Sequence, residues 1–113
     1  MPELDAVYRA LAAEERRLAL VELQRHRTIT LADLAELVAE AETGADIADI
    51  PEERVTDTYF SLYHSHVPTL EECGLVSYDQ DDDLVSAADD CGEVLDRVRE
   101  NLERLQQRTA VED

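Results

Sequence analysis

Apolar residues return at helical spacing along most of this chain and at strand spacing in two short stretches. From Leu4 to Arg25 the pattern is helical. Leu4, Val7 and Leu11 share one face, and Leu20 and Leu23 carry an apolar face onward beside Leu18 and Val21. The phase slips near Ala12-Ala13-Glu14, which predicts a break or two helices in sequence. Thr28-Ile29-Thr30 is short and β-branched, as suits a small strand able to pair with a later hairpin. Thr30 then reads as a helix cap, and Asp33 three residues on resembles a capping box. Leu31, Leu34, Leu37 and Val38 form the stripe that should be buried, and Thr43-Gly44 should end the helix.

A long connector, Ala45 to Ile50, follows, pinned by Ile47 and Ile50. Pro51 suits the first helical position, with Glu52 and Glu53 favouring the positive helix end. At about 100° per residue, Val55, Tyr59, Leu62, Tyr63 and His66 fall on one side of that helix. Arg54, Asp57, Thr58, Ser61, His64 and Ser65 fall on the other. Pro68 should stop or kink the helix at Val67, leaving a last turn before Gly74. Gly74 can take the left-handed conformation that closes a helix. Leu75-Val76-Ser77-Tyr78 and Leu84-Val85-Ser86-Ala87 then flank the turn Gln80-Asp81-Asp82-Asp83, as in a β-hairpin. The order predicts a mainly α protein with a small β-hairpin wing: a winged helix-turn-helix over residues 1–88.

Asp89-Asp90 should cap a further helix over residues 89–109, and residues 110–113 should fray. Cys91, Leu95, Val98, Leu102 and Leu105 follow alternating steps of four and three, an a/d seam of two heptads. The seam either joins two copies or covers the first helix of its own chain. The homodimer is the favoured reading.

Composition changes the picture through charge. The chain has 113 residues, enough for one domain. It carries 28 acidic and 10 basic residues for a net charge of -18. Every basic residue is Arg, and Lys is absent. Such a charge costs stability by self-repulsion in dilute buffer. At molar salt the Debye length shrinks to roughly 3 Å and the cost largely vanishes. The composition therefore resembles that of cytoplasmic proteins from salt-in halophilic archaea. The start, Met1-Pro2-Glu3-Leu4-Asp5, is acidic, unlike a secretory signal. No apolar run is long enough to span a membrane. Cys73 and Cys91 do not make a disulfide framework and should stay reduced in a cytoplasmic location.

Three blocks resemble the ArsR-like regulators. Leu11-Ala12-Ala13-Glu14-Glu15-Arg16-Arg17-Leu18 is similar to their "LA-x-x-x-R" start. Thr30-Leu31-Ala32-Asp33-Leu34-Ala35 resembles their first helix-turn-helix element. His64-Ser65-His66-Val67-Pro68-Thr69-Leu70-Glu71-Glu72-Cys73-Gly74-Leu75-Val76 resembles their "S-H-H-L-x-x-L-x-x-A-G-L-V" signature. The resemblance covers Leu4 to about Ala88 and points to a haloarchaeal branch of uncharacterised winged-helix proteins. The connector from Thr43 to Ile50 is longer than in ordinary ArsR proteins, and a Cys-x-Cys metal box is lacking. The resemblance implies a transcriptional regulator that binds double-stranded DNA.

On that reading Arg54, Thr58, Ser61, His64 and Ser65 face the major groove, and Arg25 and Arg27 add phosphate contacts. Charge opposes it. From Pro51 to Asp90 the chain has one Arg, and the wing tip holds Asp79, Asp81, Asp82 and Asp83, whereas DNA affinity normally rests on phosphate neutralisation. The alternative is a winged-helix interaction module that binds a basic protein partner. No metal is expected. His64 and His66 diverge by about 200° on a helix, and Cys73 suits burial as a small apolar group. No cofactor or enzymatic activity is expected either, since no nucleophile motif or phosphate loop is present.

Overall fold

A computed structural model describes residues 2–112, with side chains through residue 108. Six α-helices and three strands follow in order: α1 (Leu4–Ala10), α2 (Glu14–His26), β1 (Thr28–Thr30), α3 (Leu31–Thr43), α4 (Glu52–Ser61), α5 (Val67–Glu72), β2 (Val76–Asp79), β3 (Leu84–Ala87) and α6 (Cys91–Glu112). The break at Ala12-Ala13 is present, so α1 and α2 are separate helices. Thr30 caps α3 as the sequence implies: its hydroxyl accepts from the Asp33 amide at 3.1 Å. Gly44 ends α3 at φ 72°. The connector includes a short 3₁₀ turn, Ile47–Asp49, and Ile50 is buried beside it.

The sheet is antiparallel in the order β1-β3-β2. Thr28 pairs with Ser86 and Thr30 with Leu84, while Val76 pairs with Ala87 and Asp79 with Leu84. The small strand thus joins the wing, as expected. Gly74 closes α5 at φ 82°, and the Leu75 amide reaches back to the Leu70 carbonyl at 3.0 Å. One core lies between the helices and the sheet. Leu23, Leu31, Leu34, Leu62, Leu70, Leu75 and Val85 are all fully buried in it. The fold is a winged helix-turn-helix, mainly α with a small antiparallel sheet and an additional C-terminal helix.

Three expectations need correction. Of the stop or kink expected at Pro68, the stop does not occur. α4 passes through a π-helical turn, Leu62–His66, directly into α5. The Val67 amide bonds five residues back to the Leu62 carbonyl, and the widened turn accommodates a proline that has no amide to donate. The terminal helix also runs on past Ala110 to Glu112, and Asp113 lies outside the described residues. Finally, the a/d seam of α6 is divided. Cys91 and Val98 are buried in the core of their own chain, and Leu95 packs against it half-buried. These three cover the domain, so they do not offer a surface to a second copy. Only Leu102 and Leu105 keep the outward position expected of an interface, at 49% and 61% exposure.

Candidate macromolecular interface

α4 and the wing form one head. The chain has only five aromatic residues, and Tyr59, Phe60, Tyr63 and Tyr78 all meet here. Tyr59 stacks on Tyr63 at 6.3 Å between centroids, and Tyr63 meets the edge of Tyr78 at 6.1 Å. The wing is tied down by its last turn residue. Asp83 accepts hydrogen bonds from the Tyr59 hydroxyl at 3.1 and 3.2 Å and from the Tyr78 hydroxyl. Gln80 donates to the Tyr63 hydroxyl at 3.2 Å. Burial, then the bond to Asp83 and its charge, push both tyrosine hydroxyls up from their ordinary value of 10.0. Asp83 stands at φ 54°, a conformation that Asp tolerates better than most residues. Two amides of the turn, from Asp81 and Asp82, bond to the Asp79 carboxylate at 3.0 and 3.4 Å.

The polar stripe of α4 points elsewhere than the sequence suggests. Thr58 is 3% exposed, and its hydroxyl donates to the Arg54 carbonyl one turn back at 2.9 Å. With its hydroxyl satisfied inside its own helix, Thr58 packs as a β-branched apolar residue would. It cannot read DNA. Ser61 is half-buried and donates to Glu15 of α2 at 3.0 Å. Arg54 is exposed, but its guanidinium lies 3.8 Å from Glu42 of α3. This part of the stripe is turned toward α2 and α3 as a seam, and these three contacts replace the outward display expected of Arg54, Thr58 and Ser61.

The seam continues through the π turn. His66 lies between Glu15, 3.4 Å from its Nε2, and Arg16, whose guanidinium donates to Nδ1 at 3.2 Å. Arginine only donates, so Nδ1 accepts in this contact. Arg16 also holds the Ala10 and Arg9 carbonyls at the α1–α2 corner. Glu42 faces the same junction. Burial raises its carboxyl above the ordinary value of 4.5, Glu15 and Glu14 add to the rise, and Arg54 opposes it.

His64 and Ser65 do stand exposed, as expected. The face that α4 turns outward holds Glu53, Asp57, Phe60 and His64, at successive steps of four, three and four that lie on one side of a helix. Phe60 is 51% exposed and stacks on His64 at 5.8 Å. Sequence reasoning gave Phe60 no role. The available signal was the spacing of the chain's single Phe, seven residues after Glu53 and four before His64. Beyond α4, the exposed residues of the wing turn are Asp79, Gln80, Asp81 and Asp82. Arg25 and Arg27 are exposed but lie elsewhere. The Arg27 carbonyl accepts from the Ala87 amide at 2.8 Å, at the end of the sheet away from the wing turn, and Arg25 bridges Glu22 at 3.5 Å. The head and these two arginines are not one surface.

No group of three or more His, Cys, Asp or Glu side chains suited to a metal ion occurs among the described residues. Cys73 and Cys91 are free thiols, both pushed above their ordinary value by burial. No helix among the described residues is long and apolar enough to cross a membrane.

A helix-turn-helix followed by a wing clamped to its second helix defines the winged-helix class. The family model for a domain of unknown function, DUF7344, matches residues 8–86, from α1 to the last wing strand. The chain belongs to that family. No curated protein and no solved structure matches it.

Proposed function

We propose that this protein is a cytoplasmic winged-helix regulatory module, adapted to high salt, that holds a basic protein partner on the head formed by α4 and the wing. The observation that carries this reading is the outward face of α4. An exposed aromatic ring sits among acids there, with Glu53 and Asp57 beside Phe60 and the acidic wing turn beyond. Aromatic anchors edged by charge suit protein contacts. The same face sets Glu53 and Asp57 where DNA phosphates would lie and carries no Arg of its own, since Arg54, the single Arg of α4, lies to one side toward Glu42 of α3.

A second reading is direct binding of double-stranded DNA by an ArsR-like transcriptional regulator, a homodimer through its last helix. The winged-helix architecture favours it, as do His64 and Ser65 standing exposed at the end of α4. Its contacts would rest on shape and hydrogen bonds.

Fluorescence anisotropy in about 2 M KCl, where charge is screened within a few Å, separates the two. The probes are a labelled arginine-bearing amphipathic peptide and a pool of labelled genomic duplexes. Peptide binding that Asp57→Arg abolishes supports the docking module. Sequence-selective duplex binding without peptide binding establishes the DNA reading in its place.

A further inference from the structure

We propose that the head receives the distal half of α6 from a second copy of this chain. The inference rests on the docking reading above and names its partner. Four large apolar side chains stand exposed among the described residues: Val21, Phe60, Leu102 and Leu105. Phe60 is on the head, and Leu102 and Leu105 are on α6 beyond the point where its own core stops burying it.

Charge distinguishes these two surfaces. The segment from Arg97 to Arg108 holds four of the ten arginines and only two acids, Glu100 and Glu103, in a chain of net charge -18. It is a basic stretch in an acidic molecule. On a helix at about 100° per residue, Arg108 falls about 60° outside Leu105, on one edge of the stripe that carries Leu102 and Leu105, while Arg97 and Arg104 lie farther round the helix. Arg99 falls on the other edge, bridged to Asp96 at 3.4 Å and Glu103 at 4.0 Å. An apolar stripe edged with guanidinium groups complements a phenyl ring edged with carboxylates. Phe60 would meet Leu102 and Leu105, and Arg99 and Arg108 on the two edges of the stripe would meet Asp57 and Glu53. The helix-in-groove mode of recognition uses such anchors, and guanidinium groups also pack well over aromatic faces.

Pairing of α6 with α6 lacks this match, because it would set arginine edges against one another beside a short apolar contact. The first half of the expected seam is already spent, with Cys91 and Val98 inside their own domain. The contact proposed here joins unlike surfaces, head to tail.

Sedimentation velocity on the full chain tests it with two charge reversals. The head variant is Glu53→Arg with Asp57→Arg, and the tail variant is Arg99→Glu with Arg108→Glu. Wild type should self-associate, each variant alone should lose at least about tenfold in affinity, and mixing the two should restore association. All four positions are exposed, and a melting curve confirms folding. If a reversal fails to fold, Phe60→Ser for the head or Leu102→Ser for the tail takes its place in the same mixing scheme. A head variant that associates like wild type while the tail variant does not would establish α6–α6 pairing and overturn the proposal. A monomeric wild type would overturn it as well. The peptide assay reads the head alone, so a monomeric protein that still binds the peptide leaves the docking reading intact.

Discussion

Helices α3 and α4 pack against each other but are held by opposite means. α3 buries Leu31, Leu34, Ala35, Val38 and Ala39 completely, while α4 buries outright only Thr58. The position of α3 is set by apolar area, which is strong and non-directional. That of α4 leans on directional bonds: Ser61 to Glu15 and Tyr59 to Asp83. The difference teaches that a polar stripe on a helix need not face water. A second helix with partners at the right height turns it inward.

The sharpest way to break the comparison is at the point where α4 passes into the core. Leu62 is fully buried and follows the last α4 residue. Leu62→Ala should cost about 3 kcal/mol, the usual range for such a cavity, measured by urea unfolding. A loss under about 1 kcal/mol would mean that directional bonds alone hold this end of the helix.

Next in size is the clamp on the wing. Asp83→Ala removes the acceptor shared by Tyr59 and Tyr78 and leaves two half-buried hydroxyls without their partner. The cost should be about 2 kcal/mol, concentrated in faster amide exchange across β2 and β3. The clamp should also fail in base. The tyrosine hydroxyls have folded values raised above 10.0, so their contribution is present below pH 10 and is lost as pH rises through the raised values. Wing exchange that stays slow in Asp83→Ala would remove the clamp from the account.

These contrasts explain what was legible in the sequence. The apolar stripe of α3, its Thr30 cap, the Gly44 and Gly74 closures and the presence of the wing hairpin all depend on local patterns, and each is in place, the first wing strand one residue later than its sequence pattern suggests. Long-range polar partners leave no such trace. Nothing near Ser61 in sequence announces Glu15, 46 residues away, and a Thr58 hydroxyl satisfied by the carbonyl one turn back has the same sequence pattern as one that faces water. The seam of α6 follows the same rule. Its periodicity shows that Cys91, Leu95 and Val98 share a face, but periodicity does not say which chain covers that face. The acidic character of the head was legible at once, since it needs only composition.

A smaller effect should come from the seam itself. Ser61→Ala removes one hydrogen bond to a charged acceptor and leaves Glu15 still beside His66. The loss should be about 1 kcal/mol, less than for either change above. It should not alter binding at the head, because Ser61 faces inward. Weakened peptide binding in a variant of unchanged stability would put Ser61 back on the functional surface.

The smallest expected effect has the opposite sign. Burial, with Glu15 and Glu14 nearby, raises the Glu42 carboxyl in the folded chain. Glu42 therefore binds its proton more tightly folded than unfolded, and its ionisation costs stability at pH values above the raised figure. That cost fades as pH falls through the raised value toward 4.5. Glu42→Gln should thus melt slightly higher than wild type at pH 7, and the gap should close as the buffer is acidified. The bridge to Arg54 works against this, but Arg54 is 47% exposed at 3.8 Å, a geometry worth little. Thermal melts of both proteins across pH 4.5 to 7.5, about the span of the titration, measure the difference directly. A variant that melts lower at pH 7 would show that the ion pair outweighs burial and like-charge repulsion, and that the seam draws on charge as well as on hydrogen bonds.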